Sequence, residues 1–321
     1  MNPPSQADVI EKIRKMLQNA GQILIAAHQR PDGDAIGSVV GMGLALLAGG
    51  KQVEMVLQDP LPARYRFLKG SELIRQAVEG DFDLSVALDC GDLARLGNVF
   101  MGKKPDINID HHVTNELYGH VNLVMAEEVA TSAILAEYLP AWGFPLDADS
   151  AGALCMGLLT DTNGFKIPSV TPETLELAAN LMRQGAALPD IYQQALVSQS
   201  LQTSKLWGLA LSRLQLKDGL LWTSITLQDR EQTGYHGKDD AEIANFLTSV
   251  EGSRVALLFN EQSNDKVKVS WRSRNHTDVA RLAQLYEGGG HANAAGAEVN
   301  QPLHKAEAEI IEKTLKYMSG E

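Results

Sequence analysis

Four short segments rich in Asp and His each close an apolar run, and this repetition constrains the fold more than any other feature of the sequence. His28 ends the run QILIAAH and leads into Pro31-Asp32-Gly33-Asp34. Asp89 ends the run in VALDCGD, Asp110-His111-His112 follows INI, and Asp161 ends LCMGLLTD. Short apolar runs that alternate with helical patterns predict a parallel sheet with crossover helices. Strands are predicted at 22–28, 52–57, 83–89 and 106–110, and helices at 35–48, 130–142, 148–159 and 172–184. In open sheets of this kind ligands bind outside the carboxyl ends of the strands. The four segments are therefore expected at strand ends, where residues distant in sequence converge.

Beyond about residue 184 the pattern changes. One or two helices are predicted over 189–216, then strands at 219–227, 254–260 and 266–272, with helices at 239–249, 277–286 and 303–318. The expected fold class is α/β: an N-terminal domain (1–188) with a mostly parallel sheet and helices on both faces, a helical linker (189–211), and a smaller C-terminal α+β domain (212–321). A chain of 321 residues exceeds what one hydrophobic core usually serves, which also argues for two domains. With 28 Lys+Arg against 40 Asp+Glu, the net charge of −12 excludes a global basic field for long duplex DNA. Two cysteines, Cys90 and Cys155, make neither a disulfide framework nor a thiolate zinc site. The first twenty residues lack an apolar signal core, and the most apolar stretch, 36–50, is too short to span a bilayer. The expectation is a reduced, soluble, cytoplasmic protein with no membrane partner.

A single Asp after a strand is usually a cap or turn residue, and a single His is usually satisfied by hydrogen bonds. Buried acids are costly unless paired or metal-bound, however, and here they recur. Asp-rich donors with imidazole and no Cys suit Mn²⁺ better than structural zinc. Two metal ions about 3.5–4 Å apart form the usual clamp for in-line displacement at phosphorus. The spacing Asp32-x-Asp34 could point two carboxylates at neighbouring ions, and Asp89 could bridge them. In the C-terminal part, Lys266, Lys268, Arg272, Arg274 and Arg281 make a local positive patch against Asp265 and Asp278. Lys268, Ser270, Arg272 and Arg274 alternate onto one strand face. Gly288-Gly289-Gly290-His291 could bring backbone N–H groups close to an anion.

The segments HQRPDGDAIGS, VALDCGD, IDHHVTN and GLLTDTNGF resemble, in order, the four motifs of the DHH phosphoesterase superfamily. VSWRSRNHTDVARLAQLYEGGGHANAAGA resembles the RS and GGGH elements of the DHH-associated C-terminal domain. Within the superfamily, the length is similar to the NrnA-type oligoribonuclease (nanoRNase) and phosphoadenosine phosphate phosphatase subfamily. The resemblance implies two Mn²⁺ per chain, with Mg²⁺ or Co²⁺ as substitutes. His28, Asp32 and Asp89 would hold one ion, and Asp34, Asp89, His111 and Asp161 the other, with Asp89 bridging. Catalytic roles fall to Asp89, to Asp110 orienting a histidine, and to His112 facing the scissile phosphate, while a bridging water attacks. Arg272 and His291, with Gly289, Gly290 and Arg274 as helpers, would grip the terminal phosphate. Asn115, in DHH-x-x-N, is either a turn residue or a substrate contact, and Cys90 is structural.

The implied substrates are very short oligoribonucleotides, cut to nucleoside 5′-monophosphates, and 3′-phosphoadenosine 5′-phosphate, with a homodimer compatible. The alternatives are a linear or cyclic dinucleotide phosphodiesterase, an inorganic pyrophosphatase of family II, and a non-catalytic nucleotide-binding regulator. One departure stands in the tail: Glu287 precedes only three glycines where family members often have four.

Overall fold

Ile23-Leu24-Ile25-Ala26-Ala27 is buried at every position, a pattern that only an interior strand covered on both faces achieves. This strand is the middle of the first of two units, 1–198 and 199–321, in the computed structural model, which describes residues 5–237, 243–262, 265–274 and 277–320. The sheet of the first unit contains β1 (Gln22–Ala27), β2 (Gln52–Val56), β3 (Ile74–Arg75), β4 (Leu84–Leu88), β5 (Ile107–Asp110) and β6 (Val121–Val124). All pair in parallel in the order β3-β2-β1-β4-β5-β6. The chain builds outward from β1 in one direction and resumes at β4 in the other. The carboxyl ends of β1 and β4 therefore flank the switch point at which such sheets open a crevice.

The helices of this unit are α1 (Gln6–Asn19), α2 (Gly33–Ala48), α3 (Thr131–Ala141), α4 (Ala148–Asp161), α5 (Pro172–Arg183) and α6 (Leu188–Tyr192). They share one core with Ile23, Ile25, Val86, Leu88, Ile107 and Ile109 on one face of the sheet. The opposite face, where the sequence predicted further helices, carries Leu24, Ala26, Val56 and Ala87. It is closed by the loops that bring in Leu96, Val99, Phe100 and Tyr118, with only a 3₁₀ turn at Ala94–Leu96. Gly97 and Gly102, both at positive φ, break that stretch before a helix can extend.

Glycines in α2 set how near α4 comes. A Cβ at Gly37 would lie 2.5 Å from the Ala153 carbonyl oxygen, and one at Gly41 would lie 2.5 Å from the Leu154 side chain. This close approach carries Asp34, in the first turn of α2, toward Asp161 at the end of α4.

The second unit contains α7 (Leu201–Ser212), β7 (Gln215–Lys217), β8 (Leu220–Ile225), α8 (Leu227–Thr233), α9 (Ile243–Leu247), β9 (Val255–Gln262), β10 (Lys266–Ser273), α10 (Val279–Gln284), β11 (Gly289–His291), β12 (Ala294–Asn300) and α11 (Leu303–Ser319). Its sheet runs β11-β12-β10-β9-β8-β7, antiparallel except for β8 beside β9. One face packs on α10 and α11, the other on α7 and α9. The segment 189–211 divides: Ile191 joins the core of the first unit, and Leu206 and Ala210 join that of the second. The start of the helix predicted at 239–249 lies outside the described residues. Among the described residues, no helix is long and apolar enough to cross a membrane.

Glu287 takes φ 57° just after α10, and the next amide, Gly288 N–H, donates to the Ala283 carbonyl at 3.0 Å. This is a helix stop normally made by glycine. The left-handed backbone costs an ordinary residue about 1–2 kcal/mol, against about 0.5–1 for the unfolded freedom that glycine adds. Glu287→Gly is therefore expected to stabilise the protein by about 0.5–1 kcal/mol in denaturant titration. A lower denaturation midpoint would contradict the backbone argument.

Candidate metal centre

β1 delivers His28 at its carboxyl end, with the ring 3% exposed. Nδ1 lies 2.8 Å from the Gln29 carbonyl, which assigns its proton there and turns Nε2 toward the acids. Nε2 is 3.7 Å from an Asp32 oxygen and 3.7 Å from Asp89 Oδ2. Asp32 is the N-cap of α2, accepting from the Ala35 amide at 3.0 Å. Asp34, two residues further and buried, accepts from the amides of Thr131 at 2.7 Å and Ser132 at 3.0 Å. Ala130, at the N-cap of α3, has no side-chain oxygen, so a carboxylate from α2 caps α3 instead.

Asp89 follows β4 in the left-handed region, φ 51°, a conformation that Asp tolerates better than most residues. Its amide donates to the Ile109 carbonyl at 3.1 Å, tying it to β5. Oδ2 faces His28, while Oδ1 lies 3.7 Å from His111 Nε2. His111 approaches the Glu128 carbonyl with Nδ1 at 3.3 Å and presents Nε2 to Asp161 at 3.4 Å. Asp161 comes not from a strand end, as its apolar run suggested, but from the last residue of α4. That run belongs to the helix predicted at 148–159, which opens at the Asp147 capping box and continues to Asp161, so the residue closes a buried helix and not a strand.

Among the described residues the donor atoms form two groups that share no residue, His28–Asp32–Asp89 and Asp34–His111–Asp161, and a third, Asp89–His111–His112, that overlaps both, each with its atoms within 4.8 Å of one another. Atoms bound to one ion at about 2.0–2.2 Å stand roughly 3–3.6 Å apart, close to the 3.4–3.7 Å separations seen here and longer than good hydrogen bonds. The side chains fit metal ions, and one carboxylate, Asp89, faces both groups. His112 also nears Asp89, at 3.7 Å through Nδ1, but that nitrogen is hydrogen-bonded to Asp110 Oδ1 at 2.7 Å. Nε2 of His112 is left pointing away from Asp110.

Asp110 is buried and also accepts from the His111 amide at 2.9 Å and from Asn115 Nδ2 at 2.5 Å. Asn115 spends its remaining capacity within the protein. Nδ2 donates to the Cys90 carbonyl, and Oδ1 accepts from Asn108 and the Leu117 amide. This use favours an orienting role over a substrate contact. Burial pushes the Cys90 thiol up to about 12, in keeping with a structural cysteine. Sequence reasoning missed Thr131, whose Oγ1 donates to Asp89 Oδ1 at 3.1 Å, and Tyr118, whose hydroxyl donates to the Cys90 carbonyl at 2.9 Å. The one available sign was a helix start at Ala130 with no capping side chain.

Burial, then the charge of Asp89, raises Asp34 well above the ordinary carboxylate range, and burial, then Asp34, raises Asp161 to about 7. Burial opposes charge on His28, but Asp32 and Asp89 outweigh it and push the ring up to about 10. Ligation requires all three groups deprotonated, so binding at neutral pH releases protons and affinity rises with pH. Calorimetric titration of metal-free protein with Mn²⁺, in two buffers of different ionisation enthalpy, checks this. A heat independent of the buffer would contradict it.

In the second unit, Arg272 on β10, Ala294 on β12 and His291 on β11 share one register row, so Arg272 and His291 project from the same face with only a methyl group between them. Arg272 donates from Nε to Asn245 Oδ1 at 3.1 Å and from Nη1 to the Trp271 carbonyl at 3.0 Å. A Cβ at Gly290, φ 143°, would lie 2.4 Å from the Ala294 oxygen, whereas one at Gly289 would meet open space. Gly290 serves the backbone; Gly289 leaves room beside the row. Arg274 lies just past the end of β10 and is exposed.

Residues 22–158 match the DHH family N-terminal domain, and residues 220–320 match the DHHA1 domain. The chain is 36% identical over 279 residues to the bifunctional oligoribonuclease and PAP phosphatase NrnA of Thermus thermophilus, covering 86% of this chain and 84% of that protein. It is 26% identical over 283 residues to the Bacillus subtilis protein of the same description, covering 86% and 89%. Among solved structures, an exopolyphosphatase-related protein from Bacteroides fragilis superposes with a TM-score of 0.88 at 25% identity, covering 98% of this chain and 97% of that one.

Proposed function

This chain belongs to the DHH family and is a phosphoesterase, and from that premise we propose that it hydrolyses very short oligoribonucleotides to nucleoside 5′-monophosphates and removes the 3′ phosphate of phosphoadenosine phosphate. The observation that carries the reading is Asp89, a single carboxylate facing two donor groups at the switch point of the sheet. His28, Asp32 and Asp89 would hold one divalent cation, and Asp34, Asp89, His111 and Asp161 a second, with Mn²⁺ the ion that these donors suit. Such a pair, when bound, would supply an activated water and neutralise charge on the phosphate.

The protein's own groups do the rest. Asp110 holds His112 by Nδ1 and pushes it up to about 9, so the ring keeps its proton at neutral pH. Nε2–H then serves the leaving oxygen, which needs a proton as the P–O bond breaks. Asn115 and Tyr118 hold Asp110 and the Cys90 backbone in place. Arg272 and His291 bind the substrate's terminal phosphate, with Gly289 leaving room for it and Arg274 adding charge. A short, highly charged substrate held this way needs no extended basic groove, which agrees with the net charge of −12.

Charge-assisted bonds from a guanidinium contribute about 1.5–3 kcal/mol, so Arg272→Ala is expected to raise KM by about 10–100-fold with kcat changed far less. Unchanged kinetic constants would remove Arg272 from the phosphate grip. The function itself is tested by product analysis under Mn²⁺ with a linear dinucleotide, phosphoadenosine phosphate, a cyclic dinucleotide, pyrophosphate and a 24-nucleotide RNA. The reading requires fast conversion of the dinucleotide to mononucleotides with the long RNA spared. Turnover of pyrophosphate alone would overturn the substrate assignment.

A further inference from the structure

A cavity of about 440 Å³ opens at the amino ends of β4 and β5, the end of the sheet opposite the metal centre. Its floor is Ser85, near the start of β4, and Asp106, just before β5. The metal-centre residues Asp89 and Asp110 lie at the far ends of the same two strands, roughly 13 Å along β5 at about 3.3 Å per residue. The cavity is thus distinct from the site already described.

Its lining is unusual for this acidic chain. Phe82 and Phe100 form apolar walls, and Lys103, Lys104 and His120 stand at the rim. Among the described residues, neither lysine is in an ion pair, although acids outnumber bases by 40 to 28. Asp106 Oδ2 accepts from the Ser85 amide at 2.9 Å and the Ser85 hydroxyl at 2.6 Å, so this carboxylate is fixed in direction at the floor. Met101, also lining the cavity, is 70% exposed and held at φ 50°. Its flexible, polarisable thioether can pack against an aromatic ligand that enters the cavity.

Each part matches one portion of a nucleotide. Aromatic walls and a thioether receive a base, a fixed carboxylate accepts its exocyclic amine, and two lysines with an imidazole receive the phosphate. We propose that this cavity binds a purine nucleoside monophosphate, the class of compound that the proposed reaction releases, at a second site remote from the metals. β4 and β5 are packed in parallel register and connect the floor of the cavity to Asp89 and Asp110. An occupant is therefore in a position to report product level to the catalytic groups.

The test uses the full chain stripped of metal, so that it stands apart from catalysis. In equilibrium dialysis AMP is expected to bind once per chain, about tenfold or more tighter than adenosine or ribose 5-phosphate, since only AMP engages both halves of the cavity. Lys103→Glu/Lys104→Glu should weaken AMP by about tenfold or more while Mn²⁺-dependent hydrolysis of bis(p-nitrophenyl) phosphate stays at the wild-type rate. Arg272→Ala should leave AMP uptake intact. Absent uptake by metal-free wild-type protein, uptake undiminished by the double substitution, or uptake lost with Arg272→Ala would each overturn the proposal. None of these outcomes bears on the dinucleotide assay, so the two readings fail separately.

Discussion

Asp89→Asn is expected to lower turnover by about three orders of magnitude or more, because several kcal/mol of transition-state stabilisation would rest on the metal pair that this side chain is proposed to hold. Asparagine is chosen over alanine for physical reasons. It tolerates the left-handed backbone at φ 51°, and its amide oxygen still accepts from Thr131 Oγ1. What it removes is a negative charge between two donor groups. The same charge repels Asp34 and Asp161 but attracts the His28 ring, so its loss should change the stability of the metal-free protein little. The expected signature is threefold: a thermal midpoint little changed, Mn²⁺ content below that of the wild type, and turnover all but lost. Near-normal activity in stripped and refilled protein would refute the bridging role.

His112→Ala should reduce kcat by about 10²–10⁴-fold with metal content unchanged, the range for a positioned acid or base. Nδ1 is committed to Asp110 at 2.7 Å, which orients the ring and leaves Nε2 for that role. Asp110→Asn tests the same arrangement from behind. Asp110 accepts from three donors, and an amide would turn one N–H against them. A loss of about 10–100-fold, typical of a group that orients another, is expected there, with the pH profile shifted because His112 loses the anion that raises it. If His112→Ala instead lowered Mn²⁺ content, the imidazole would be a ligand and the proton-donor role would fail.

The donor set was legible because ligand chemistry is a property of residue type, and because strand ends can be read from local apolar runs. His28, Asp89 and Asp110 stand where those runs placed them. Asp161 did not, since its apolar run is the end of the helix predicted at 148–159 and not a strand. Thr131 was invisible for a different reason. Its bond to Asp89 spans 42 residues and depends on how α3 meets the sheet. β12 escaped because AAGAEVN is rich in Ala and Gly, residues that enter strands only when neighbours demand it. With β12 unseen, the row joining Arg272 to His291 could not be read, and the glycine run looked like a loop rather than the edge strand β11.

By itself, then, the sequence determined the parallel sheet, the candidate Asp and His donors and the placement of three of their segments at strand ends. It did so because periodicity and side-chain chemistry act over a few residues. Only the tertiary structure decided which oxygen of Asp89 faces which histidine, that Asp34 caps α3, that α4 supplies Asp161, and that a cavity opens at the opposite end of β4 and β5. Those are set by contacts between segments remote in sequence, such as the close approach of α2 and α4 at Gly37, where the absence of one side chain fixes the distance between two carboxylates.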